Sequence, residues 1–447
     1  MTLPIARRPV AQTLLMALLM PLAFTAVPTR AQSLRELFDA ARAYDSSLMS
    51  AQAQADATRY RADQADALLR PNVGLVAGVA QTVTDTPLAG TRALSAGTAG
   101  VSAVQPLINR ANRLAVDKAR RTLDLAQADL QTAEQDLIVR TAQAYFDVLG
   151  AIDALGFART SKQAISEQLA SAQANFKAGN ATIVDTREAQ ARFDLATAQE
   201  IAADNDLTTK RIALDQLVGK TGSEPKPLAQ PVALPNLPAD DVEAWVSKTT
   251  AAPLVLKARV GYEIAQLETR RSDAGHVPTL DLEGSAGSAY NRGSAATSSG
   301  GKGLANNAKV GVTLRWPLYT GGLIENQVKE AASLEEKARH DLDTTTRLVA
   351  QATRQGYFGV QSGQAQVTAL QAAEASSKVA LEATLTGYRV GVRVNLDVLN
   401  AQTQLYSTQR DLAKARYDVL VNGIRLRQAA GVLGVDDVDA VDRLLAR

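Results

Sequence analysis

A single offset of 212 residues maps one half of this chain onto the other: Gln143-Ala-Tyr-Phe-Asp-Val148 returns as Gln355-Gly-Tyr-Phe-Gly-Val360. The same shift pairs Val116 with Val328, Ala119 with Ala331, Thr141 with Thr353, Phe176 with Tyr388, Gly179 with Gly391, Asp185 with Asp397 and Gln190 with Gln402. Agreement at one spacing across about 75 residues marks an internal duplication. The fold must therefore be a unit that can be built twice and joined to itself, with a first structural repeat over 32–223 and a second over 239–447.

Each copy opens with a helical stretch, 34–69 or 241–274, rich in Ala, Gln, Leu and Arg. Pro71 and Pro278 disfavour helix in the residue before them and mark the change of structure. Strands are expected at about 71–84 and 94–106 in the first copy, and at about 278–290 and 308–318 in the second. Val73, Leu75, Ala77 and Val79 alternate with other residues, as do Val310, Val312, Leu314 and Trp316. Period-two patterning over about ten residues fits a membrane-crossing strand, and on pattern alone a soluble hairpin remains the alternative. The joining segments, 85–90 and 291–307, are rich in Gly, Ser, Asn and Pro and read as exposed loops. Pro106 and Pro317 suit a strand end or a first helical turn, where a missing N–H costs little.

Two proline-free helices follow, at about 107–176 and 319–387. Val116, Leu123, Leu130, Leu137, Ala144, Ala151 and Ala158 recur every seventh residue, with Ala119, Ala126 and Ala133 three positions on. Sustained heptads mean helices packed along their length, and at 1.5 Å per residue some 70 residues reach about 105 Å. Gly179 and Gly391 are expected as left-handed caps, with returning helices starting at Asp185 and Asp397 and Glu188 completing a capping box with Asp185. The returning helices run to about Gly219 and Gly431, and five prolines in 224–238 make an extended connector between the copies.

The first 31 residues read as a secretory signal peptide: Arg7 and Arg8, an apolar run to Phe24, then Thr29-Arg30-Ala31 before cleavage. Its removal takes three arginines and no acid, leaving 45 basic side chains against 46 acidic and no surplus to attract nucleic acid. The chain has no cysteine, which excludes disulfides, thiolate metal sites and a lipidated N-terminal cysteine. Gly219-Lys220-Thr221 imitates the end of a phosphate loop, but Leu214 stands where the earlier glycine is needed. His276 and His340 have no partner pattern for zinc or for a nucleophile relay, so neither an enzyme nor a cofactor is expected.

Four strands per chain are too few to close a barrel, and open edges are not tolerated in lipid. Several chains must then share one barrel, although the strand count alone does not fix how many. The duplicated strand–strand–long-helix units and the tip pattern aromatic-x-x-Gly-x(5)-Asp resemble the TolC family. The second copy carries the resemblance best, in Tyr388-Arg-Val-Gly391, Asn395-Leu-Asp397-Val-Leu-Asn400-Ala-Gln and Ala415-Arg-Tyr417. It covers essentially the whole chain after residue 31.

That resemblance implies an α+β membrane protein: a homotrimer with a twelve-stranded outer-membrane β-barrel continued by a periplasmic α-helical coiled-coil barrel. It implies a passive exit duct in the outer-membrane lipid of a Gram-negative bacterium, serving efflux or type I secretion. The implied partners are a periplasmic adaptor (membrane fusion) protein and an inner-membrane ABC or proton-driven transporter. Lipidated relatives carry a cysteine after the signal, so this chain resembles the unlipidated branch. A soluble periplasmic coiled-coil spacer or adaptor is the competing reading.

Asp397 matches an acidic position at the entrance in the family, where copies would form a carboxylate ring; an ordinary helix cap is the alternative, as it is for Asp185. Asn400 replaces a second acid of close relatives, which implies a single ring. Tyr388 and Arg393 match positions that hold the entrance closed, with Asp185 as the expected partner of Arg393. Ala178, Gly179 and Asn180, with Val390, Gly391 and Val392, resemble adaptor-docking tips. Trp316 and Tyr290 are candidates for interfacial aromatics, with core packing the alternative.

Overall fold

The structure, a computed structural model, describes residues 31–446 except 89, 233, 236–240 and 295–300. The signal-peptide reading over 1–31 falls, except for Ala31, on residues outside the described ones, as do 233 and 236–238 of the connector and 295–300 of the second loop.

The first copy begins with α1 (Leu34–Tyr44) and α2 (Ser46–Asp66), where one helix was expected. Asp45 makes the break: its extended backbone leaves the first helix while its carboxylate caps the second by accepting from Leu48 N–H. A 3₁₀ turn leads into β1 (Asn72–Thr86) and β2 (Gly90–Ile108). The long helix α3 (Arg110–Lys177) follows, then α4 (Ile183–Val218). The second copy repeats the order with α5 (Val242–Lys248), α6 (Pro253–Asp273), β3 (Thr279–Arg292), β4 (Gly303–Arg315), α7 (Leu323–Arg389) and α8 (Asn395–Ala429). A final short helix, α9 (Val435–Asp442), closes the chain.

The long helices start later than the proline spacing implies. Pro106 lies inside β2, opposite Asp281 and next to a bulge, and Asn109 caps α3 by accepting from Asn112 N–H. In the second copy Gly321 and Gly322 both take positive φ, which delays α7 to Leu323. At 68 and 67 residues, α3 and α7 each extend about 100 Å.

The four strands form one antiparallel sheet in the order β1-β2-β3-β4, so the copies meet at β2 and β3 while β1 and β4 are edges. Midway along the helices lies the main core, with Leu37, Phe38, Leu137, Tyr145, Phe146, Leu214, Ile424 and Leu445 among its members. Tyr145 donates to the carbonyls of Gln32 and Lys226, binding the chain start and the connector to α3. The connector adds bridges from Pro225 to Gln32 and from Leu228 to Leu445. The loops of the sheet and the turns of the helices thus lie at opposite ends, with this core between.

Candidate functional site

Two regions combine exposure with chemistry: the faces of the sheet and the helix tips. Residues directly opposite in an antiparallel ladder share a face, so the register assigns each strand side. Leu75 pairs with Val101, Val101 with Ala286 and Ala286 with Ala308, while Leu282 pairs with Val312 and Leu280 with Leu314. One face therefore carries Val73, Leu75, Ala77, Val79, Val101, Leu280, Leu282, Val310, Val312 and Leu314. Val79 and Val310 are 92 % and 82 % exposed on it, an arrangement that water disfavours and lipid accepts. Ser288 and Asn306 interrupt this face, but the Ser288 hydroxyl donates to the Asn306 amide oxygen at 2.7 Å. The opposite face carries Thr82, Arg92, Thr98, Ser102, Asp281, Glu283, Ser285, Asn307, Lys309 and Arg315 among glycines, alanines and a few larger apolar residues such as Val76 and Val104.

Tyr290, paired with Leu304, sits at the loop end of the apolar face, and Trp316 follows β4 at the helix end. The twelve steps from Leu304 to Trp316 span about 40 Å at 3.3 Å each, or about 30 Å of height at a barrel tilt near 40°. Both side chains are more than half exposed, and Trp316 Nε1 donates to the His276 carbonyl at 3.2 Å.

At the other end, both long helices stop with the same geometry. Asn180 N–H bonds the Asn175 carbonyl at 2.8 Å and Val392 N–H the Gly387 carbonyl at 2.9 Å, with Gly179 and Gly391 at φ +77° and +80° between. The caps that restart the chain differ. Thr182 is the N-cap of α4, and Asp185 occupies the third helical position of a capping box with it; Glu188 takes no part in that box. Asp397 also sits in the third helical position, behind Val394, whose side chain makes no cap bond. Neither acid is thus the N-cap that the spacing suggested.

Arg393 does not reach Asp185 within the chain. Its guanidinium lies 3.5 Å from Asp397, while Asp185 accepts from Thr182 N–H and Oγ1. The Arg393 stem folds over Gly387, where an added Cβ would lie 2.8 Å from its Cγ. At 61 % and 38 % exposure the Arg393–Asp397 pair contributes about 0–1 kcal/mol. Tyr388 instead accepts from Asn175 Nδ2 at 3.1 Å, linking α7 to α3. Asn400 accepts from Arg192 of α4 at 3.1 Å. Val390 and Val392, 69 % and 78 % exposed, project from the second tip beside Gly391; Ala178 and Asn180 flank Gly179 on the first and are also exposed.

These tip contacts end a seam between α3 and α8. From the middle outward it runs through Arg425–Gln143 at 3.0 Å and Tyr417–Asp153 at 2.7 Å. It then opens into a groove of about 330 Å³ lined by Phe157, Ile165, Arg192, Leu195, Tyr406 and Arg410, and closes again at Gln168–Asn395. Burial pushes the Asp153 carboxyl up against the opposing pull of the Tyr417 bond. Gln168, Asn175 and Thr182 belong to no motif, and Asn395, though it opens the tip motif, carries no expected role there. A signal for them existed, because the other copy has Ala380, Gly387, Ile183 and Val394 at the matching positions.

The sequence matches the outer membrane efflux protein (OEP) family over residues 37–220 and 250–432. The chain belongs to that family. The two matched stretches coincide with the two copies. Among its relatives, outer membrane protein TolC of Vibrio cholerae is 33 % identical over 409 residues, covering 91 % of this chain and 92 % of the relative. Alkaline protease secretion protein AprF of Pseudomonas aeruginosa is 33 % identical over 324 residues, covering 71 % and 66 %. The fold is that of outer membrane protein VceC from Vibrio cholerae, with TM-score 0.76 at 22 % identity over 89 % of this chain and 96 % of that one. CusC gives TM-score 0.79 at 18 % identity over 90 % and 92 %. As a member of the efflux-protein family, the chain is an outer-membrane channel with a large periplasmic part, not an enzyme.

Proposed function

We propose that three copies of this chain form the exit duct of a tripartite efflux or type I secretion system. The observation that carries this reading is the sheet: four strands, two open edges, and one apolar face uncovered by any helix. Pairing of β4 in one protomer with β1 in the next removes every edge and gives a twelve-stranded barrel with the polar face inward. Tyr290 and Trp316 then fall at the two membrane interfaces.

Below the membrane the long helices enclose a periplasmic tunnel, and the tips close it. Three copies of Asp397 form a single carboxylate ring at the entrance, with Asn400 behind it contributing no charge. Tyr388 holds α7 against the first copy through Asn175, Arg393 ties the turn between α7 and α8 to Asp397, and Asp185 fixes the α4 tip through Thr182. Ala178, Gly179, Asn180, Val390, Gly391 and Val392 present small and apolar surface to a periplasmic adaptor protein. An inner-membrane transporter, ABC-type or proton-driven, supplies the energy.

The test is reconstitution of the purified protein into planar bilayers. Cation-preferring channels blocked by multivalent cations from the periplasmic side support the reading, and Asp397→Ala should relieve the block at least tenfold. Recovery of the protein in an osmotic-shock fluid with no channel activity would overturn it in favour of a soluble periplasmic spacer.

A further inference from the structure

Between the levels of Tyr290 and Trp316 the inward face of the sheet is charged in one copy only; Arg92 of the first copy, opposite Thr84, lies beyond Tyr290 toward the loop. Asp281 and Glu283 of β3 lie opposite Thr313 and Gly311 of β4, and Lys309 lies one same-face step outward, opposite Ser285. Counting from Pro71 and Pro278, the first copy places Gly74 and Val76 where the second has Asp281 and Glu283. Counting from Pro106 and Pro317, it places Thr98 opposite in role to Lys309. Both carboxylates are half-buried in a central strand, and among the described residues neither they nor Lys309 has an ion-pair partner in the chain.

Their depth follows from the register. Glu283 lies seven residues from Tyr290, about 23 Å along the strand, so it falls within the span bounded by Tyr290 and Trp316. Ionised side chains at that depth are tolerated only where they face a water-filled cavity, and there they set what passes. Asp281 and Glu283 are about 7 Å apart on one face, so three copies place six carboxylates in a narrow axial band. Twelve strands enclose a bore between that of filled eight-stranded barrels and that of open porins, where wall charges act across the whole lumen.

Resting on the trimeric duct proposed above, we propose that Asp281 and Glu283 form a second acidic belt inside the membrane barrel. This belt sets a cation preference independently of the Asp397 ring at the far end of the tunnel. Lys309, one step toward the exterior, and Arg315, on the same face opposite Thr279 and one step toward the helices, flank the belt and limit its reach. At that depth the first copy contributes only neutral wall, so charged and neutral sectors alternate around the bore and leave a lane for large or anionic cargo.

The experiment is zero-current potential in planar bilayers under a potassium chloride gradient, using full-length protein. Asp281→Asn/Glu283→Gln should lower the cation-to-anion permeability ratio at least about twofold, and Lys309→Gln should raise it. Both shifts should persist in an Asp397→Ala background. Channels of normal conductance with an unchanged ratio would overturn the belt while leaving the duct intact. Absence of channels from the unaltered protein would instead overturn the duct and the belt with it. The cysteine-free chain provides a second readout in intact outer membranes. Glu283→Cys should react with a charged, membrane-impermeant thiol reagent and Leu282→Cys should not; the reverse pattern would refute the facing on which the belt depends.

Discussion

Gly431 and Gly179 end two helices in the same way, and substituting each by alanine separates backbone strain from packing. Gly431 has φ +75°, with Val432 N–H bonded to the Arg427 carbonyl at 2.9 Å. Gly179 has φ +77° and the equivalent bond from Asn180. Placing alanine in a left-handed cap costs about 1–2 kcal/mol, offset in part by the stiffer unfolded chain, for a net loss near 1 kcal/mol at both sites. A Cβ on Gly179 meets nothing within 4 Å. On Gly431 it meets Ala252 Cα at 2.3 Å and Ala252 N at 2.8 Å.

Ala252 is buried backbone at the start of α6, locked by Pro253, and has no rotamer to yield. Restoring ordinary contact at about 3.5 Å requires a shift of more than 1 Å between α6 and the end of α8, adding about 1–3 kcal/mol of overpacking. Thermal melting of the purified protein in one detergent, at fixed concentration, reads the difference. Gly179→Ala should lower the midpoint by a degree or two and Gly431→Ala by clearly more, with less folded protein recovered. Equal melting of the two variants would refute the packing argument, since their backbone strain is matched.

Three further outcomes follow from the seam and the ion pairs. Asn175→Ala should raise the open fraction in bilayer recordings much as Tyr388→Phe does, and the double variant should add little, because each removes the same bond. Tyr417→Phe leaves the half-buried Asp153 carboxylate without its donor; it should lower the melting midpoint by an amount equivalent to about 1–3 kcal/mol, and Asp153→Asn should restore part of it. Glu268, bonded to Arg271 and Lys118, has its pKa pulled from 4.5 to about 2. Because the folded-state value is depressed, its stabilisation is complete above about pH 4.5 and is lost as pH falls toward 2, so Glu268→Gln should flatten the melting profile across that window.

What the sequence revealed and what it concealed divide along physical lines. Heptads, period-two alternation and the 212-residue offset are local or repeated patterns, so the order of strand pairs and long helices could be read from them. Helix starts were less legible, because they depend on cap chemistry competing over a few residues. Asn109 and the Gly321-Gly322 pair delay α3 and α7, and Thr182 starts α4 ahead of Asp185. The partner of Arg393 departs from the sequence expectation for a different reason. Asp185 is equivalent in the duplication, but its carboxylate is already held by Thr182, while Asp397 lies four residues along the same helix tip. The seam contacts were hidden because pairs such as Gln168 with Asn395 are 227 residues apart and no local pattern joins the two partners. The face of each strand became certain only with the register, which a single-residue slip would invert.

The claim on which everything else depends is that the sheet edges β1 and β4 close against neighbouring copies in the membrane. A cryo-electron-microscopy reconstruction of the full-length protein in lipid nanodiscs tests it directly. Three protomers should appear, β4 of each paired with β1 of the next, with Leu75, Val79 and Val310 against lipid and Glu283 and Lys309 toward the bore. A particle whose β1 and β4 edges remain unpaired, or whose apolar face packs against protein instead of lipid, would contradict the account.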